Sequence, residues 1–286
     1  MNTFEQLQEA CKRKTIYEAA IDYEVEQGEY SEYQIRLQAK KSLDAMKEAI
    51  KYGLKSTELS PSKMTGDDCD KLQKNLAVSV LGATAKKIMI YALATSEQNL
   101  RMGKIVACPT AGSCGIVPSV LVAYAEDNQV SENDQINALI TAGEIGKIVA
   151  NKMALAGAVG GCQAECGVAS AMASAALTQM RGGNIKQIIN SSALALKNIL
   201  GLTCDPVCGL VEIPCVKRNP FLAIHAVTSS ELAMANIISR IPIDEIVDAM
   251  EQTGTLMSPL LKESSKGGLA KTKTAKALKK KFFYNH

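Results

Sequence analysis

The stretch from Gly160 to Cys215 constrains this chain more than any other. It reads GGCQAECGVASAMASAALTQMRGG, then a helical run, then GLTCDPVCGLVEIPC. Between Gly167 and Met180 the residues are almost entirely Ala, Ser, Met and Gly. Side chains that small let neighbouring backbones approach closely, so a helix here belongs at the centre of a helical packing. Five of the nine cysteines flank that run: Cys162, Cys166, Cys204, Cys208 and Cys215. They sit beside Gly, Pro, Asp and Gln, where the chain turns, and off any apolar helix stripe. A free cysteine is ordinarily a small buried hydrophobe. Five in one short span, punctuated by Gly-Gly, Cys-Asp-Pro and Ile-Pro-Cys, point instead to a thiolate metal site.

At 286 residues the chain can bury a substantial core. The hydrophobic content is 47%, yet there are only four Phe and no Trp. An interior of Ala, Leu, Ile, Val and Met favours close-packed helices, since strands prefer aromatic and β-branched residues. A formal net charge of +3 is too small to imply a nucleic-acid partner. No basic-plus-apolar leader opens the chain, and no uncharged apolar run is long enough to span a membrane. A cytoplasmic protein is expected. Nine cysteines without a secretory leader imply reduced thiols used for metal binding or catalysis, and not a disulfide scaffold.

Helical spacing runs through residues 4 to 53, in Leu7, Ala10 and Cys11, then Ile16 and Ala19, then Leu43, Met46 and Ile50. Two or three amphipathic helices are predicted there, so residues 1–70 read as a helical arm or packing layer. Residues 71–286 read as one continuous catalytic domain. Residues 54–70 read as a loop, with Cys69 incidental in polar surroundings, and Leu76 to Leu100 as a helix buried on most sides. Next, Thr110-Ala111-Gly112-Ser113 leads into an apolar helix from about Ile116, a start that offers open N–H groups to an anion. Ser131 and Asp134 form a capping box for a helix whose stripe is Ile136, Leu139, Ile140, Ile145, Ile148 and Val149. Gly182-Gly183 stops the small-residue helix. Asn184 caps another with Ile185, Ile188, Ile189, Leu196, Ile199 and Leu200 inside, ended by Gly201. Asn219-Pro220 is predicted to open a further helix reaching about Ser239, and 242–262 to add one more. The lysine-rich tail from Lys266 reads as a solvated end. With no alternating strand pattern of useful length, the class is all-α, built on central small-residue helices.

The cysteine intervals do not suit zinc, whose sites usually show paired C-x2-C spacing. Only two histidines exist, His225 and the terminal His286, so Cys/His sets lack parts. An iron–sulfur cluster needs only thiolates, and three of them would leave one iron open as a Lewis acid. Spacing alone does not choose three ligands among the seven cysteines from Cys108 to Cys215.

Longer motifs carry a resemblance. Ser96-Glu97, Gly103-Lys104-Ile105-Val106-Ala107 with Pro109-Thr110-Ala111-Gly112-Ser113, Gly160-Gly161-Cys162-Gln163-Ala164-Glu165, Cys204-Asp205-Pro206-Val207 and Pro214-Cys215-Val216-Lys217-Arg218-Asn219 follow one another in order. Together, over roughly residues 75 to 260, they resemble the α subunit of the iron–sulfur-dependent L-serine dehydratases. The resemblance implies an all-helical domain with a [4Fe–4S] cluster on Cys162, Cys204 and Cys215. It implies that Cys108, Cys114, Cys166 and Cys208 are not ligands, and that Thr110, Ala111, Gly112 and Ser113 hold substrate. The implied reaction removes water from L-serine and ends in pyruvate and ammonia.

Three departures from that family's pattern matter. Single-chain members carry a preceding domain with a Ser/His/Thr-rich substrate loop, which is missing here, so a separate β subunit is expected to complete the site. Some members end in a cysteine that reaches the open iron, whereas this tail reads Phe282-Phe283-Tyr284-Asn285-His286. Ahead of the first ligand, Ala156-Gly157-Ala158-Val159 stands where many members read Ser-Gly-Ala-Glu. The general base is not legible. Glu165 and Lys152 are candidates by nearness to Cys162 in sequence, and His225 lies in an apolar helix pattern more typical of a core or interface histidine. Two alternatives remain at this level: a related lyase for L-threonine or L-cysteine, and an iron–sulfur redox or sensor protein.

Overall fold

Capping side chains set where the first helices begin, in a computed structural model that describes residues 1–28, 30–75 and 77–284. Thr3 accepts from the Gln6 N–H ahead of α1 (Phe4–Ala10). Thr15 with Glu18, and Ser31 with Gln34, close reciprocal capping boxes at the starts of α2 (Ile16–Glu26) and α3 (Glu32–Gly53). There follow α4 (Asp68–Lys74), α5 (Ala83–Leu100), α6 (Ile116–Asp127), α7 (Glu132–Lys152), the single turn α8 (Gly157–Gly160) and α9 (Val168–Met180). The remainder are α10 (Ile185–Lys197), α11 (Cys215–Met234), α12 (Ile243–Leu256) and α13 (Lys273–Tyr284). Among the described residues there is no strand, only an isolated bridge between Cys204 and Lys262. The class is all-α, as composition requires. No described helix is long and apolar enough to cross a membrane.

The small-residue run is the axis of the packing. Every residue of α9 from Val168 to Thr178 is buried, and α6, α7, α10 and α11 pack around it. Its hydroxyls are satisfied inside the core, as buried polar groups must be. Ser170 donates to the Leu222 carbonyl at 3.0 Å, Ser174 to the Ala171 carbonyl at 2.9 Å and Thr178 to the Ser174 carbonyl at 2.7 Å. Phe4, Leu7, Ile16, Leu43 and Met46 of the first three helices join the same apolar cluster as Ile145, Ile148, Leu196 and Met250. The first three helices therefore share one apolar core with the later ones.

Several boundaries differ from those read in the sequence. The helix expected from Leu76 starts at Ala83; residues 77–82 are irregular, and Leu76 lies outside the described residues. The loop expected to residue 70 gives way to α4 at Asp68, and Cys69 is buried beside Leu93, Ala94 and Val216. Ser131 caps α7, but Asp134 takes the Ser131 hydroxyl, at 2.7 Å, and so half of the expected box forms. The helix of Asn184 closes at Lys197, and Leu200, 39% exposed, leaves the inner face. Pro220 does not open a helix: α11 begins at Cys215, contains Pro220 at its sixth position and ends at Met234. The Asn219 side chain donates to the Cys215 carbonyl at 3.0 Å just where proline interrupts the ladder. The tail is not only a solvated end. Its lysines are exposed, but Ala275 is buried, and the segment before α13 is bound to the loop after Cys204. Asn285 and His286, on which the expectation of a cysteine-free end partly rests, lie outside the described residues.

Candidate functional site

Three chain segments deliver the three family-implied cysteines. The first is the end of α8. Gly161 takes φ 76°, and a Cβ there would meet the Leu202 carbonyl at 2.9 Å, so only glycine turns the chain at this point. Cys162 follows, at the head of a π-turn over Gln163–Gly167. Such π-turns recur at functional sites. Gln163 fastens the turn with three bonds: its N–H to the Leu202 carbonyl (3.1 Å), its amide to the Met250 carbonyl (2.9 Å), and the Gly201 N–H to its own oxygen (2.9 Å). The second segment is the loop beyond α10. The Cys204 N–H donates to the Leu261 carbonyl at 2.8 Å, and the Cys204 carbonyl accepts the Glu263 N–H at 2.6 Å. The third is the first turn of α11, which opens on Cys215. All three thiols are free and buried.

The turn Thr110–Ser113 lies against them. Ala111–Ser113 form a short 3-10 turn in which the Thr110 N–H meets the Ser113 hydroxyl at 3.4 Å and that hydroxyl reaches the Cys108 carbonyl at 3.2 Å. The Thr110 hydroxyl donates to the Glu165 carboxylate. A Cβ on Gly112 would come within 2.8 Å of Glu165 Oε1, and one on Gly157 within 2.9 Å of Cys204 Sγ and 3.0 Å of Glu165 Oε2. Glu165 thus bridges the turn and the cysteines. Asn219 joins them from beneath. It donates to the carbonyls of Gly112 (2.9 Å) and Cys215 (3.0 Å), and accepts the Gly115 N–H (2.9 Å).

One cation faces this group. Arg218 donates to the Thr203 carbonyl at 2.8 Å and to Asp205 at 2.9 Å, and its charge acts on the Cys162 sulfur. A hydrogen bond from Cys166, together with Arg218, holds the Cys162 thiol below its ordinary range despite burial. Burial pushes Cys215 up to about 12 and Cys204 higher still, with the neighbouring thiolates and Glu165 adding to it. Burial likewise raises the Glu165 carboxyl, and the Thr110 hydroxyl draws it partly back. Thiols so raised stay protonated until a metal supplies positive charge, and ligation then deprotonates them. Three buried free thiols that sense one another, with backbone too close for any Cβ, fit a thiolate-bound cluster. The tightest donor set among the described residues is narrower: Cys162, Glu165 and Cys166 hold ligand atoms within 4.8 Å of one another. That set suits a single small ion. The wider trio of cysteines suits a larger group.

The other candidates are placed elsewhere. Lys152 pairs with Asp244 (3.3 Å) and Asp248 (3.2 Å) of α12. His225 shares a 2.9 Å hydrogen bond with Ser170 on α9; burial lowers its pKa, and its Nε2 is buried without a partner. Cys108 and Cys114 are buried, their thiols pushed by burial to about 12, and Cys208 is half-buried in a turn. Cys166, by contrast, lies directly at Cys162. A cavity of about 670 Å³ sits away from the cysteine trio, between α2, α3 and α7, with Cys108 on its wall. Its size alone does not make it the reaction site: its charged lining includes Lys147 held between Glu24 and Glu144, and none of Cys162, Cys204 and Cys215 lines it.

Arg218 and Asn219 were not singled out as site residues by the sequence, and neither was Glu212. Glu212 is buried and accepts the hydroxyls of Ser60 (2.8 Å), Ser62 (2.7 Å) and Thr65 (3.0 Å), which pins the loop before Cys215. The available signal was a run of Lys-Arg-Asn between Cys215 and Pro220, where an apolar helix face would otherwise begin.

Comparison with known proteins accords with this geometry. The model of the family "Serine dehydratase alpha chain" matches residues 11–270. The chain is similar to the Bacillus subtilis (strain 168) "Probable L-serine dehydratase, alpha chain", 43% identical over 274 residues, covering 95% of this chain and 91% of that protein. It is similar to the Peptoniphilus asaccharolyticus "L-serine dehydratase, alpha chain", 37% identical with 99% and 98% covered. "L-serine dehydratase TdcG" of Escherichia coli (strain K12) is 42% identical over 185 residues, which are 64% of this chain but only 41% of that protein.

Proposed function

This chain belongs to the serine dehydratase alpha chain family, and from that premise we propose that it is the cluster-bearing α subunit of an L-serine dehydratase, converting L-serine to pyruvate and ammonia. Cys162, Cys204 and Cys215 would hold a [4Fe–4S] cluster. When bound, the cluster supplies a Lewis-acidic iron free of any cysteine, which matches the needs of a reaction with a poor leaving group and a weakly acidic proton.

The chain's own residues do the rest. Thr110, Ala111, Gly112 and Ser113 present hydroxyls and backbone N–H groups to the substrate, and Asn219 fixes their height relative to Cys215. Glu165, aimed by the Thr110 hydroxyl, stands where a proton can be taken up or given back at its carboxylate. Lys152 is engaged with two aspartates of α12 instead. The observation that carries the reading is the meeting of three buried cysteines with this turn through one carboxylate. Apolar residues stand exposed beside the site's segments, Val159, Val211, Leu256 and Leu260, and a separate β chain that completes the site would cover them. The words "alpha chain" in the names of the two relatives aligned over nearly their whole length support a separate β chain.

The test is an anaerobic electron-paramagnetic-resonance titration of the α–β holoenzyme with L-serine. The signal is expected to change on addition of substrate, with pyruvate formed. A holoenzyme without iron, or a signal indifferent to L-serine, overturns the reading. Parallel assays for 2-oxobutyrate from L-threonine and sulfide from L-cysteine define the substrate. Thr110→Val with unaltered KM and kcat would remove the turn from the site.

A further inference from the structure

One side chain touches all three cysteine segments. Arg218 stands a turn beyond Cys215 on α11. Its two terminal nitrogens reach the residues on either side of Cys204, the Thr203 carbonyl at 2.8 Å and the Asp205 carboxylate at 2.9 Å. Its charge also acts on the sulfur of Cys162 on the π-turn. The arginine is mostly buried, at 16% side-chain exposure, and so is Asp205 at 6%. Asp205 in turn accepts the Leu269 N–H at 2.8 Å, so the clamp continues into the segment before α13.

Three thiolates in one buried space repel one another, and a low dielectric magnifies that repulsion. A fixed cation among them offsets it. Arginine suits the task better than lysine because its planar fork spends separate N–H groups on separate partners while staying charged. We propose that Arg218 is the positioning residue of the three-cysteine site, holding the Cys204 loop on α11 and placing a fixed positive charge beside a bound cluster. It acts through the cysteines and is not itself a ligand.

This inference rests on the cluster reading, and its test separates the two. Wild type, Arg218→Gln and Arg218→Lys are prepared anaerobically as the α–β holoenzyme and reconstituted with iron and sulfide. Iron and labile sulfide per chain, the lifetime of the cluster's visible absorbance in air, and the cluster's reduction potential are measured. Arg218→Gln is expected to lose the cluster several-fold faster and to shift the potential, because a nearby positive charge favours the reduced form. Arg218→Lys keeps the charge but loses the fork, so the potential stays near wild type while the lifetime still shortens. That split is one a merely structural residue would not give. Wild-type lifetime and potential in Arg218→Gln overturn the inference. If that variant does not fold, an unshortened lifetime in Arg218→Lys overturns it instead. A wild-type holoenzyme that takes up no iron overturns the cluster reading beneath it.

Discussion

The α9 core and the cysteine loop from Leu202 to Pro214 are held together in opposite ways. In α9 the side chains are small, every position from Val168 to Thr178 is buried, and the fit is van der Waals contact with internally satisfied hydroxyls. The loop has almost no regular structure. It is held by discrete polar clamps: Arg218 on Thr203 and Asp205, three hydroxyls on Glu212, and Leu261 and Glu263 on the Cys204 backbone. A packed helix gives a rigid wall whose details are interchangeable. A clamped loop gives positions that nothing else can substitute, which is what a ligand set needs.

The comparison breaks most visibly if the loop is altered at a proposed ligand. Cys204→Ser should abolish iron retention and lower kcat at least about a thousandfold, roughly 4 kcal/mol in barrier terms. The helical circular-dichroism spectrum should stay intact. Substantial activity in that variant would take the loop out of the chemistry. In α9 the reverse is expected. Ala173→Leu forces extra methylenes into a filled core and should cost about 3 kcal/mol of stability, read as a lower melting temperature. Any cluster-related signal should be normal in the fraction that folds. Asn219 ties the Thr110–Ser113 turn to the start of α11. Asn219→Ala strands the buried Gly115 N–H and Gly112 carbonyl, at about 1–3 kcal/mol, and should lower both stability and kcat/KM. An effect on melting temperature alone would place Asn219 with the scaffold.

The smallest expected effect is a pH dependence. Burial holds the folded His225 pKa below its ordinary 6.5. The unfolded chain therefore binds the proton first as pH falls, and stability is lost from about pH 6.5 downward, by at most about 1.4 kcal/mol per pH unit. His225→Leu should flatten that part of the melting-temperature profile. An unchanged slope would place the acid sensitivity elsewhere.

What was legible in the sequence follows the same division. The Gly167–Met180 run, the Asn184 cap and the Gly182 stop are local signals, and each stands where the pattern put it. Pro220 misled because a proline within a helix is normally excluded, and the Asn219 bond to the Cys215 carbonyl that accompanies it is a tertiary detail of the site. Leu200 satisfied the helical period but fell beyond the true end of α10. The clamps were illegible for a different reason. Ser60 and Glu212 are 152 residues apart, and nothing in either neighbourhood announces the other. Motif order, not periodicity, brought Cys162, Cys204 and Cys215 into one set.

The loop around Cys204 is completed by residues synthesised much later. Asp205 binds the Leu269 N–H, 64 positions on, and Pro206 accepts the Ser265 hydroxyl, 59 positions on. A nascent chain that has released all three cysteines from the ribosome still lacks the outer strap that fixes the middle one. The loop that carries Cys204 therefore sets only once Ser265 and Leu269 have been made, and a ribosome that stalls before them leaves a helical body with that loop unstrapped.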